Sequence, residues 1–205
     1  HHMNFFCYCG FFPKFVIETK TSFKMKKILL LSLFLSSFAS LKAQSPAGSY
    51  MNSFYNKELS IEATLGKDKL QEIYIEVDSK SSSKAYINIK GYELESFRTS
   101  LKLLRDKHLA WCQIAKDNNV TEMSKDFGIS FPLVTIAWRG TKWWFSFDRR
   151  LNMKFRILTN NDMIATCVQK VAASSNKYIE ETIYFVLQTA EDFDNLINAL
   201  DEEEI

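Results

Sequence analysis

Three runs in the middle of the chain alternate apolar and polar residues with a period of two. Across 57–65, Leu59, Ile61, Ala63 and Leu65 interleave with Glu58, Ser60, Glu62 and Thr64. Ile73, Ile75 and Val77 then alternate with Glu72, Tyr74 and Glu76, and Ala85, Ile87 and Ile89 alternate with Tyr86, Asn88 and Lys90. One apolar face per run predicts half-buried antiparallel strands. Gly66-Lys67-Asp68 and the serines of 79–83 mark the turns between them. After Gly91 the period lengthens. Leu94, Phe97, Leu101, Leu104, His108 and Trp111 recur at steps of three and four, which predicts an amphipathic helix to about Lys116. Asp117-Asn118-Asn119 ends it, and 121–127 reads as a short extra turn closed by Gly128.

Strand patterns return over 131–139, 143–148, 152–158, 162–172 and 178–188, with Gly140-Thr141 as a hairpin signal. A final helix starts at Thr189, whose hydroxyl suits an N-cap, with Glu191 and Asp192 in the first turn and Phe193, Leu196, Ile197 and Leu200 as its apolar stripe. The acids 201–204 oppose the negative end of that helix and should fray it. The expected fold is α+β: a two-layer, mainly antiparallel sheet of about eight strands with two amphipathic helices. It forms one domain over 57–205, and 44–56, small and polar, reads as a linker.

An internal echo supports a repeat. Ile87, Ile89, Glu95, Phe97, Leu101 and Leu104 match Ile183, Phe185, Glu191, Phe193, Ile197 and Leu200 at a constant offset. Each half would be a set of antiparallel strands followed by one helix, a pseudo-duplication. In outline this resembles the Whirly and PUR-type single-strand-binding folds, although no motif of those families is present.

The segment 25–43, MKKILLLSLFLSSFASLKA, has the layout of a secretory signal peptide: Lys26-Lys27, an apolar run, then Ala43 at the cleavage position. Its apolar run is shorter than the roughly 20 residues that span a bilayer, so no stable membrane span is expected after cleavage. Residues 1–24 read as a tag remnant and upstream extension before Met25. The expected address is exported, periplasmic or secreted.

Removing 1–43 reverses the charge. Of 26 Lys+Arg and 24 Asp+Glu, the leader takes six bases (Lys14, Lys20, Lys24, Lys26, Lys27, Lys42) and one acid (Glu18). The remainder carries 20 bases and 23 acids, a net charge near −3. That balance disfavours nucleic acid as a partner. Cys7 and Cys9 leave with the leader, and Cys112 and Cys167 remain as a possible disulfide or as two buried thiols.

No catalytic signature emerges. His108, the single histidine after the leader, lies on an apolar stripe one turn before Cys112 and reads as a packed core residue. The acid pairs Glu93/Glu95, Glu180/Glu181 and Asp148/Asp162 read as solvated faces. No nucleophile elbow, metalloprotease helix or phosphate-binding glycine loop is present. Neither a cofactor nor a metal is expected.

The segment 138–156, WRGTKWWFSFDRRLNMKFR, is the most unusual. Trp143, Phe145 and Phe147 point one way from their strand, and Trp144 and Ser146 the other. Taking the three aromatics as core leaves Trp144 exposed, near Arg139, Lys142, Arg149, Arg150, Lys154 and Arg156. Such an aromatic and basic surface would stack sugars or bases, or hold an acidic partner; the other reading is a sheet buried on both faces, with helices over one and loops or a partner over the other. The functional expectation is therefore a non-catalytic binding module for an envelope protein, a glycan or another acidic ligand. The alternatives are a single-stranded nucleic-acid-binding domain and an enzyme with a dispersed site.

Overall fold

A computed structural model describes residues 45–66 and 69–201. The readings made on 1–43, on Lys67-Asp68 and on 202–204 lie outside the described residues. In chain order the elements are β1 (Ser45–Asn52), β2 (Lys57–Leu65), β3 (Leu70–Ser79), β4 (Ala85–Lys90), a 3-10 turn (Gly91–Glu93), α1 (Leu94–Asp117), β5 (Met123–Asp126), β6 (Val134–Arg139), β7 (Trp143–Arg149), β8 (Lys154–Ile157), β9 (Met163–Ala173), β10 (Asn176–Leu187) and α2 (Ala190–Ala199). The fold is α+β, with every strand pair antiparallel.

Among the described residues ten strands form where about eight were expected. Residues 45–52, read as linker, form β1 and pair with β2. Alternation did not betray β1 because one of its two buried side chains is polar. Tyr50 and Asn52 are the buried pair, and Asn52 Nδ2 donates to Val186 O at 2.7 Å. The segment read as an extra turn before Gly128 contains β5, whose Met-Ser-Lys-Asp sequence carries one half-buried side chain. Its ladder with β8 makes it a strand.

The strand order is β5-β8-β9-β10-β3-β4-β6-β7, with β2 also on β3 and β1 on β2. β3 is long enough to serve two neighbours along one edge: Leu70 to Ile75 pair with β2, and Asp78 and Ser79 pair with β10. At the far end, Ser174 N donates to Phe145 O at 2.8 Å, and Phe147 N donates to Ser174 Oγ at 3.1 Å. These bonds tie β7 to the β9–β10 turn, so the run from β9 through β3 to β7 curls back on itself.

Ile73, Ile75, Ile87, Ile89, Ile136 and Phe185 line the core face and join Leu94, Phe97, Leu101 and Leu104 of α1 and Phe193 and Leu196 of α2. Thr189 caps α2 in a reciprocal capping box with Asp192. The same carboxylate accepts from Ser53 N and Ser53 Oγ, both at 2.8 Å, so it also anchors the β1–β2 turn. Among the described residues, no helix is long and apolar enough to cross a membrane.

Candidate functional site

The β6–β7 register decides which aromatics reach solvent. Trp144 pairs with Trp138 and Ser146 with Ile136, and both partners are buried core residues. Trp144 therefore packs against the core, and Ser146 is buried. Trp143 and Phe145 share the opposite face with Arg139 and Ala137. Phe145 is 39% exposed and Phe147 55%. The expected assignment of faces is thus reversed. The core side of β7 is the mixed pair Trp144 and Ser146, set by their pairing with the buried Trp138 and Ile136.

Cross-strand partners define the outer face row by row. Glu76 lies opposite Tyr86, Tyr86 opposite Ala137, and Ala137 opposite Phe145. The next row runs Glu62, Tyr74, Asn88, Thr135. On the other side Arg139 pairs with Trp143. Ala137 is the small residue among large neighbours, and the gap above it is a cleft of about 160 Å³ lined by Tyr74, Tyr86, Ala137, Trp143 and Phe145. The Tyr86 ring stands 6.2 Å from Tyr74 at 88° and 5.8 Å from Trp143 at 45°. Phe145 and Phe147 are parallel, with centroids 6.2 Å apart.

Polar groups along this face are tied to one another. Tyr86 donates to Glu62 Oε1 at 2.7 Å, with Lys84 Nζ 4.0 Å from the same carboxylate oxygen. Glu72 accepts from Tyr74, Lys90 and Asn88. Glu76 accepts from Ser60 Oγ at 2.6 Å and pairs with Lys57 at 3.2 Å. Partial burial pushes the Glu72 carboxyl up, but the bonds from Lys90, Tyr74 and Asn88 outweigh it and hold the group below the ordinary value. Glu76 is lowered in the same way, burial being overcome by Ser60 and Lys57. Burial, reinforced by the bond to Glu62, raises the Tyr86 phenol. Asn88 Oδ1 is buried on this face with no hydrogen-bond partner among the described residues.

The structure does not gather the basic residues of 138–156. Arg139 and Lys142 flank the β6–β7 turn, where the Arg139 guanidinium lies 5.7 Å from the Trp143 ring and Lys142 Nζ 4.4 Å from that of Trp144. Arg149 and Arg150 sit at the other end of β7, about 20 Å away at roughly 3.3 Å per residue. Lys154 and Arg156 are exposed on β8, which pairs with β5 and β9. Of the expected set, Arg139 alone lies in a row with the cleft. Tyr74, Tyr86 and Ala137 were missed, although a signal existed: Tyr74 and Tyr86 occupy polar-phase positions where a solvated face would carry charge.

The disulfide weighed from sequence is not formed. Cys112 and Cys167 are free thiols; Cys112 Sγ lies 3.4 Å from His108 Nε2, and Cys167 Sγ lies 3.9 Å from Gln169 Oε1. Burial pushes both thiols up, away from reactivity. His108 is fully buried among Phe127, Phe155 and Phe193. Its Nε2 lies 2.9 Å from Gln188 O, which accepts only, so Nε2 carries the proton. Burial lowers the imidazole and keeps it neutral. Among the described residues, no group of three His, Cys, Asp or Glu side chains is arranged to hold a metal ion.

No known protein-family model, characterised protein or solved structure matches this chain.

Proposed function

We propose that the chain is an exported, non-catalytic binding domain that takes its ligand on the outer sheet face, over the cleft floored by Ala137. The observation that carries this reading is the exposed pair Phe145 and Phe147, continued by half-buried Trp143 and Tyr74, around the cleft. Soluble surfaces rarely leave adjacent large rings bare without a partner. A partner of the cell envelope, protein or glycan, fits the signal-peptide layout of 25–43.

Catalysis is the weaker reading. His108 is sealed in the core, and Glu72 and Glu76 are held ionised below the ordinary carboxyl value, unlike a general acid. Nucleic acid is weaker too, since the lysines of this face are paired with Glu62, Glu72 and Glu76 and leave little positive surface for its phosphates. The two-layer, internally repeated architecture belongs to the same proposal. In each half a hairpin, β3–β4 or β9–β10, runs into a helix, and the matched pairs Phe97/Phe193, Leu101/Ile197 and Leu104/Leu200 are all buried.

The test is expression with residues 25–43 in a secreting host, followed by co-sedimentation of the product with envelope material. An intact mass starting at Gln44 and retention by the envelope are expected. Trp143→Ala with Phe145→Ala should abolish retention while the protein stays folded, as read by its circular dichroism. Retention that survives those substitutions would sink the proposed face, and a product that keeps residues 25–43 would sink the exported address.

A further inference from the structure

Resting on that reading of the outer face, we infer that the ligand is a neutral glycan, one pyranose ring of which sits over Ala137 between Tyr86 and Phe145, with Trp143, in contact with Tyr86, closing one end.

Size sets the first limit. A cavity near 150 Å³ holds one benzene-sized ring, whereas enclosed sites for drug-sized ligands begin at about 300 Å³. The cleft of about 160 Å³ therefore takes a single ring and leaves the rest of a longer ligand on the surface. Phe147, one residue pair along β7 and more exposed than Phe145, extends the apolar platform for a neighbouring unit.

Charge sets the second. Each carboxylate beside the cleft has its own cation: Glu62 has Lys84, Glu72 has Lys90 and Glu76 has Lys57. The pairs leave little net field to attract an anion or a cation. They do leave carboxylate lone pairs, since each carboxylate has room for about four acceptor contacts. Aromatic faces for the apolar C–H side of a sugar, with fixed acceptors for its hydroxyls, are the complement of a neutral polyol ring.

The position of the cleft sets the third. It lies over β4 and β6, and both are paired along both edges. A peptide placed there would find no open ladder for its backbone groups, which is the usual source of affinity when an extended peptide joins a sheet. A glycan needs no ladder.

The experiment uses the exported chain, labelled with nitrogen-15, and follows the indole N–H signals of Trp111, Trp138, Trp143 and Trp144, with Trp143→Phe assigning the relevant one. The probes are hexasaccharides of neutral glucan, xylan, mannan and chitin, set against a heparin hexasaccharide and hexagalacturonate. At least one neutral probe should shift the Trp143 signal saturably and leave Trp111 unmoved. Trp143→Ala or Phe145→Ala should weaken that binding by about tenfold. Ala137→Leu, which fills the floor, should abolish it, and the exposed-site variant Phe145→Ala keeps the test informative if Ala137→Leu fails to fold. A response to the anionic probes alone overturns the inference. So does no response to any neutral probe while envelope retention still depends on Trp143 and Phe145; the face would then bind something else. Retention indifferent to Trp143 and Phe145, with no neutral response, overturns the face itself.

Discussion

The Tyr86 hydroxyl on β4 reaches over the intervening strand β3 and donates to Glu62 Oε1 on β2 at 2.7 Å. This bond fixes the ring that forms one wall of the cleft, edge-on to Tyr74 and tilted against Trp143. Removing only the hydroxyl, in Tyr86→Phe, keeps the wall and frees the carboxylate. A stability loss of about 1 kcal/mol is expected from urea denaturation. A loss of several kcal/mol would mean that Glu62 depends on Tyr86 for much more than one bond.

Trp144 and Phe147, both on β7, should behave oppositely. Trp144 packs against the core but is only partly buried, so Trp144→Ala should cost about 2 kcal/mol, below the roughly 3–5 kcal/mol of a fully buried aromatic. Phe147 is more than half exposed, and Phe147→Ala should change stability by less than about 0.5 kcal/mol. Thermal melts of the two variants check the face assignment; similar losses for both would contradict it.

Asp192 is a buried carboxylate with several donors. Besides Ser53 N and Oγ, it accepts from Gln188 N at 2.7 Å and Thr189 N at 3.0 Å. Asp192→Ala strands these groups and removes the carboxylate half of the α2 capping box, so a loss of about 3 kcal/mol is expected, although the Thr189 hydroxyl still caps the backbone N–H at 192. Ser53→Ala should cost about 1 kcal/mol, because the backbone bond remains. Equal effects would show that the β1–β2 turn, rather than the cap, carries the stability.

Acid should destabilise the protein in two stages. Burial lowers His108 below its ordinary 6.5, so the unfolded chain takes the proton first and stability falls as pH drops below that value. Glu72 and Glu76 are held below 4.5 in the folded state, so their contribution is present above 4.5 and is lost as pH falls through their lower folded values. Glu181 adds to the second stage. Burial raises it, but bonds from Ser82, Thr182 and Ser81 outweigh that and pull it down. Melting temperature against pH should show both declines, and His108→Gln should remove the first. A flat profile from pH 7 to about 5 in the wild type would refute the histidine part.

Without reductant, the unfolded protein should titrate free thiol at both Cys112 and Cys167. In the native state both should react slowly with a thiol reagent, Cys167 the more so because it is nearly inaccessible. Failure of the unfolded chain to react would mean a bridge and a rearranged α1–β9 contact.

Where one apolar face alternates with one polar face, local pattern sufficed. The boundaries of β2 and β4 and the start of α1 follow the periodicity residue for residue, because side chains one turn or two residues apart necessarily share a face. The N-cap at Thr189 was legible for the same reason: the hydroxyl and the Asp192 amide are neighbours in sequence. β1 and β5 were not legible. Their hydrogen bonds go to β2 and β8, and few of their side chains are apolar and buried.

The cleft was half legible. The aromatic segment on β7 stood out in the sequence, but its alternation is aromatic on one face and mixed on the other, so either face would have passed for core. Pairing with β6 broke the tie by setting Trp144 across from the buried Trp138. The sequence by itself determined which residues share a strand face or a helix stripe, through the fixed periods of two and 3.6. Only the tertiary structure decided which face of β7 met solvent, that Tyr74 and Tyr86 stand beside Trp143, and that the arginines of 138–156 lie apart. Those relations depend on strand order and register, which arise from contacts between residues far apart in the chain.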